Sequence, residues 1–288
     1  MKNREVIDRI LVYHPHIPNY EGCDGWKAGN PEAECTGVAA ALVPTADVIR
    51  RAAAMGCNLL VTHEPIYYQT PDFAEWRGGF PNTVQAEKET LIQKLGVSIW
   101  RDHDHMHAHQ PDSIFSSVVK SLGWEDYSRP EWAGDVPFFM PFELPKTTVG
   151  ELGAFLMDKI GMNGVKYIGR AGDEIQRMAF AAHLFPNAFF PDGVGGDGCY
   201  RDYAMSVMEQ MERHGIQVII PGEIIEWTVL AYIRDAVELG KVKACFHLGH
   251  FNWEELGMKD FARIIGELVE HKVPVSYLPT GDQWRFLT

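Results

Sequence analysis

The stretch Thr45-Ala46-Asp47-Val48-Ile49-Arg50-Arg51-Ala52-Ala53-Ala54-Met55-Gly56-Cys57-Asn58-Leu59-Leu60-Val61-Thr62 decides the fold class. Thr45 suits a helix N-cap, and Val48, Ile49, Ala52, Ala53 and Met55 give the helix one apolar face. Gly56 stops it, and 58–62 reads as a short strand. The same unit recurs along the chain. Residues 83–95 carry Val84, Leu91, Ile92 and Leu95, followed by Gly96 and a strand over 97–100. Thr148 and Glu151 form a capping box before Leu152, Phe155 and Leu156, and Gly161 closes that helix. A helix over 203–213 stops near Gly215 and feeds a strand over 216–220. Another over 225–239 stops at Gly240 and feeds 242–246, and a last one over 258–271 leads into 273–277. Helix and strand in alternation build parallel or mixed sheets with helices on their faces, so the expected class is α/β.

Working outward, residues 128–146 are rich in proline and aromatics and lack helical period, and read as a junction. The expected organisation is therefore two α/β halves, 1–128 and 129–288, with the last helix and strand packing back on the first half. A faint likeness between 55–64 and 214–223 fits a duplicated plan.

The chain has 288 residues, one large or two medium domains at about 150 residues each. With 46% hydrophobic and 23% charged residues it is neither a disordered chain, a fibre nor a coiled coil. A formal charge of -13 repels phosphate backbones, which argues against nonspecific nucleic-acid binding. No run approaches the roughly 18 apolar residues of a membrane span. Residues 1–5 lead into no signal-peptide core, so no membrane association and a cytoplasmic location are expected. The five cysteines are scattered without a CxxC pair, so spacing indicates neither a disulfide framework nor a thiolate metal site.

Twelve histidines stand out, four of them at 103, 105, 107 and 109. They follow the strand over 97–100, where ligands bind in open α/β sheets. His63-Glu64 follows another strand, and His247, His250 and Glu254 follow a third. Imidazole and carboxylate together suit borderline divalent ions such as Zn, Mn, Fe, Co or Ni. His63-Glu64-Pro65-Ile66-Tyr67 lacks the second histidine of HExxH, and Pro65 opposes a helix there, so a zincin is excluded. His103-Asp104-His105-Met106-His107 followed by Ala108-His109 lacks the Asp-His pair of the HxHxDH metallo-β-lactamase-like hydrolases, which leaves that reading as a runner-up.

Four ordered blocks carry a resemblance: Leu59-Leu60-Val61-Thr62-His63-Glu64-Pro65, then Val97 to His109, then Ile220-Pro221-Gly222-Glu223, then Gly249-His250-Phe251-Asn252-Trp253-Glu254. With them the chain resembles the Nif-three-like dinuclear-metal proteins, some of whose bacterial members are known as GTP cyclohydrolase I type 2 homologues. The resemblance implies two divalent ions held by His63, Glu64, His107, His250 and Glu254, with Glu254 bridging. Glu64 stands where that family has histidine and His107 where it has aspartate, so the exchange preserves three imidazoles and two carboxylates. His103 and Glu223 are the expected proton-handling groups. The resemblance also implies a homo-hexamer and hydrolysis of a small molecule, a nucleotide such as GTP first among them. A non-catalytic metal-binding regulator, chaperone or interaction scaffold is the alternative from another class.

Overall fold

The computed structural model describes residues 1–70, 72, 79–285 and 287. Its elements are α1 (Asn3–Tyr13), β1 (Gly25–Ala28), β2 (Val38–Ala41), α2 (Ala46–Ala54), β3 (Leu59–Thr62), α3 (Thr83–Leu95), β4 (Ser98–Arg101), α4 (Asp104–His107) and α5 (Ser113–Leu122). They continue with β5 (Phe139–Thr148), α6 (Val149–Ile160), β6 (Lys166–Ile168), β7 (Glu174–Leu184), β8 (Gly193–Val194), β9 (Tyr200–Arg201) and α7 (Tyr203–Arg213). β10 (Val218–Ile224), α8 (Val229–Glu238), β11 (Ala244–His247), α9 (His250–Leu268) and β12 (Val275–Tyr277) complete the chain. It divides into two compact units, Met1–Ser121 with Glu254–Gln283, and Leu122–Trp253 with the C-terminal residues from Trp284.

The first unit holds a mixed sheet in the order β1-β4-β3-β2-β12. β12, β2, β3 and β4 run parallel and β1 is antiparallel to β4. β2, β3 and β4 are buried at every residue, which explains why they read as unbroken small and aliphatic runs. Thr45 caps α2 through Val48 N at 3.1 Å, and Val48, Ile49 and Ala52 pack on Ala39, Leu60 and Ile99. α3 departs from its apolar pattern: Val84 is exposed, while Lys88 is buried with its Nζ donating to Ile66 O at 2.6 Å.

Burial pushes the Lys88 ammonium down to about 8. The sign follows from proton counts: between pH 8 and about 10.5 the unfolded chain holds this proton and the folded chain has lost it, so stability rises with pH. Relative to Lys88→Met, the native chain should gain on the order of 3 kcal/mol across that window. Urea titrations of both proteins at pH 7.5 and pH 10 check this; parallel behaviour would contradict it.

The second unit carries the mixed sheet β5-β7-β10-β11-β6, with β7, β10 and β11 parallel and both edges antiparallel. Tyr203, Val207 and Met211 of α7 and Val229 and Ile233 of α8 cover Ala179, Ala181 and Ile219. The capping box at Thr148 and Glu151 is present, and Gly161 ends α6 at φ +80°. The segment read as a junction supplies β5 from Phe139 onward. Its prolines 141 and 145 conceal a strand because proline fits only where ladder hydrogen bonds are dispensable, and β5 is an edge. α9 begins at His250, eight residues before the expected start, directly after Gly249 at φ +86°.

β10 lies against β7 so closely at Gly222 that a Cβ there would fall 2.0 Å from Ala182 O. Backbone cannot yield as a side chain would. Gly222→Ala should therefore cost about 3 kcal/mol, read as a lowered urea midpoint; an unchanged midpoint would contradict the packing. Among the described residues no helix is long and apolar enough to cross a membrane.

Candidate metal centre

Beyond Thr62 the chain leaves the sheet with the amides of His63 and Glu64 both donating to Leu42 O, at 3.1 and 2.9 Å. The end of the neighbouring strand holds this turn in place. Arg101 is 1% exposed, and its guanidinium donates to His63 O at 3.0 Å and Thr70 O at 2.6 Å. A buried cation bonded to carbonyls is a rigid clasp, because each partner removed would leave the other unsatisfied.

His63 is fully buried, and its Nδ1 lies 3.1 Å from Asp102 O. A carbonyl only accepts, so Nδ1 carries the proton and Nε2 presents a bare lone pair. That Nε2 is buried with no hydrogen-bond partner among the described residues; Glu254 Oε2 is 3.9 Å away. Burial, with the rings of His103 and His107 adding to it, holds His63 well below the usual histidine range, hence neutral.

His103 and His107 complete the wall. α4 is a single helical turn that sets residues 103 and 107 one turn apart on one face. Their ring centroids lie 4.4 and 5.0 Å from that of His63 and 4.7 Å from each other. The alternate histidines are engaged elsewhere: His105 Nδ1 meets Asp24 Oδ2 at 2.7 Å and His109 Nε2 meets His14 Nδ1 at 2.8 Å. His107 Nδ1 lies 2.6 Å from Asp112 Oδ2. Burial would lower its pKa, but the Asp112 carboxylate outweighs that and raises it. An anion on Nδ1 fixes the ring and leaves Nε2 as the nitrogen open to an ion, the usual way a carboxylate orients a metal-binding histidine.

Two groups of donors result. His63, His103 and His107 form one, and His63, Glu64 and Glu254 form the other, with the donor atoms of each within 4.8 Å of one another. Glu64 and Glu254 are both buried, at 8% and 2% exposure. Two carboxylates this close in the interior call for compensating positive charge. The donor set, neutral imidazoles with carboxylates, fits a borderline divalent ion.

Of the residues singled out in the sequence, His63, Glu64, His103, His107 and Glu254 gather in the first unit. His250 and Glu223 lie in the second unit and pair with each other, Nδ1 to Oε1 at 2.9 Å. Sequence reasoning passed over Asp112, Arg101 and Asp102. Only Asp112 left a trace, as a capping residue whose Oδ1 also accepts from Phe115 N at the start of α5.

The chain is similar to known proteins over most of its length. A GTP cyclohydrolase 1 type 2 homolog of Clostridium perfringens is 23% identical over 260 residues, 88% of this chain and 87% of its own. One of Clostridium acetobutylicum is 23% identical over 235 residues, 80% and 76% of the two chains. The crystal structure of a Bacillus cereus protein related to NIF3 superposes with a TM-score of 0.67 at 14% identity, covering 100% of this chain and 99% of the other, which shows a shared fold. The family model for Duf34/NIF3 (NGG1p interacting factor 3) matches residues 1–183, the span that includes His63, Glu64, His103 and His107. With well over half of its length matched, the chain belongs to the Duf34/NIF3 family.

Proposed function

We propose that the chain binds two divalent ions, from among Zn, Mn, Fe, Co and Ni, around His63, and that it is a metal-dependent hydrolase of a small molecule. The buried, unbonded Nε2 of His63 carries this reading, because burying it without a partner costs about 1–3 kcal/mol unless a cation takes the lone pair. His63, His107, Glu64 and Glu254 supply the donors beside His103, and each carboxylate has two oxygens to share between cations. Such ions, when bound, supply Lewis acidity that polarises an electrophile and acidifies water near neutral pH.

The chain's own groups handle the proton. His103 is partly exposed, with Nδ1 2.8 Å from Asp104 Oδ1. Burial would raise the Asp104 pKa, but His103, Tyr20 and the Cys23 amide hold it well below the usual carboxylate range. A fixed anion behind an accessible imidazole suits His103 to accept a proton from the reacting centre and pass it to solvent. GTP is the first substrate to test, since relatives carry the name GTP cyclohydrolase 1 type 2 homolog.

Glu254→Gln should lower metal content and abolish turnover of a nucleotide panel in the presence of Mn. Turnover that survives Glu254→Gln would place the chemistry elsewhere. Metal binding without turnover would favour a metal-binding regulator, chaperone or scaffold instead. The assembly proposed with this function is a homo-hexamer; light scattering that gives a monomer would remove that part alone.

A further inference from the structure

We propose that Cys23, His103 and Asp104 form a separate cation site, selective for ions that accept thiolate, with Zn the foremost candidate. The loop after α1 brings Cys23 beside α4, although 80 positions separate it from His103, a distance that spacing motifs cannot bridge. Cys23 Sγ lies 3.3 Å from Asp104 Oδ1, and His103 Nδ1 lies 2.8 Å from the same oxygen. The three donor atoms all lie within 4.8 Å of one another. Around a tetrahedral Zn, with bonds of about 2.3 Å to sulfur and 2.0–2.1 Å to nitrogen or oxygen, donors stand roughly 3.3–3.6 Å apart. Only a small opening of the trio is needed.

Most supporting hydrogen bonds use other atoms, although Cys23 Sγ also lies 3.8 Å from Asp24 Oδ1. Asp104 Oδ2, not Oδ1, accepts from Tyr20 OH at 2.7 Å and from Cys23 N at 3.1 Å. Asp24 accepts from the amides of His103, Asp104 and His105 at 2.6, 3.0 and 2.9 Å, and so ties the Cys23 loop to α4. Gly22 permits the approach, since a Cβ there would lie 2.0 Å from Asp104 Oδ2. The clamp thus keeps Sγ, Nδ1 and Oδ1 within 4.8 Å of one another.

His103 belongs both to this trio and to the group around His63, so the two sites adjoin through one imidazole. They differ in softness. The His63 group offers nitrogen and oxygen alone, whereas a sulfur ligand favours Zn or Co(II) over Mn. On binding, the Cys23 thiol loses its proton to solvent and the thiolate bonds the ion, with no change of oxidation state. The inference stands on these distances and does not require the hydrolase reading.

Titration of the full-length, reduced protein with Co(II) tests it. A thiolate-to-cobalt charge-transfer band should grow with Co(II), vanish in Cys23→Ser and persist in Cys199→Ser. It should also persist in Glu254→Gln while that variant binds less Co(II) in total, which separates this site from the His63 centre. In the unaltered protein, Zn should slow alkylation of Cys23, followed by peptide mass spectrometry, about tenfold or more. No band, a band that survives Cys23→Ser, or alkylation indifferent to Zn would overturn the proposal.

Discussion

Replacing His63 by leucine should abolish Mn binding at the His63 centre while leaving the metal-free chain folded. His63 belongs to both donor groups of the centre, so its loss removes the donor they share. The metal-free cost should be small because two effects oppose. Leucine removes an unsatisfied buried nitrogen, a gain of about 1–3 kcal/mol, but leaves Asp102 O without the Nδ1 donor, a loss of similar size. Metal should then separate the two proteins sharply. With free ion at 100 times its dissociation constant, the native chain should gain about 2.7 kcal/mol, and His63→Leu nothing. Thermal melts with Mn and with a chelator read this directly. Equal metal-dependent shifts in both proteins would remove His63 from the centre.

The second large effect concerns the exchange of ligand types at 64 and 107. Glu64→His alone would leave four imidazoles and one carboxylate around His63, too little negative charge for two divalent ions. His107→Asp alone would set a new carboxylate beside Asp112, which now accepts from His107 at 2.6 Å, and close to Glu254. Each single change should weaken metal binding tenfold or more, about 1.4 kcal/mol per factor of ten. The double change restores the charge count and should recover part of the loss, a coupling of about 0.5–3 kcal/mol. Asp112 Oδ2 loses its imidazole partner in it, so recovery should be incomplete unless Asp112→Asn is added. Strictly additive losses across the four proteins would show that Glu64 and His107 act independently.

The fold was legible where local rules and tertiary packing agree. Thr45 with Gly56 and the Thr148–Glu151 box with Gly161 combine a cap, a periodic face and a stop, the runs over 83–95 and 203–213 end near a glycine, and all four helices are present. β5 was hidden by its prolines, tolerated only because the strand is an edge, a property of the sheet and not of the segment. Lys88 broke the apolar pattern of α3 because Ile66 O, 22 residues away, accepts a hydrogen bond from its Nζ.

The centre divides along the same line. His63 and Glu64 were visible as chemistry at a strand end, and Glu254 as part of a block with His250. The choice among four histidines was not visible, since it depends on α4 being a helical turn that puts 103 and 107 together and sends 105 toward Asp24. Asp112, Arg101 and the Cys23 trio are assembled by contacts that no sequence window contains, and Cys23 in particular is isolated in spacing and clustered in space.

The number of ions the His63 centre holds is the decisive quantity. Purified full-length protein, equilibrated with excess Mn and then freed of unbound ion, should retain about two Mn per chain by elemental mass spectrometry, as a two-metal site requires. Mn is the discriminating ion because it suits the nitrogen and oxygen donors around His63 and not the Cys23 thiolate. Retention of no Mn, or of the same amount by His63→Leu, would contradict a metal centre built on His63.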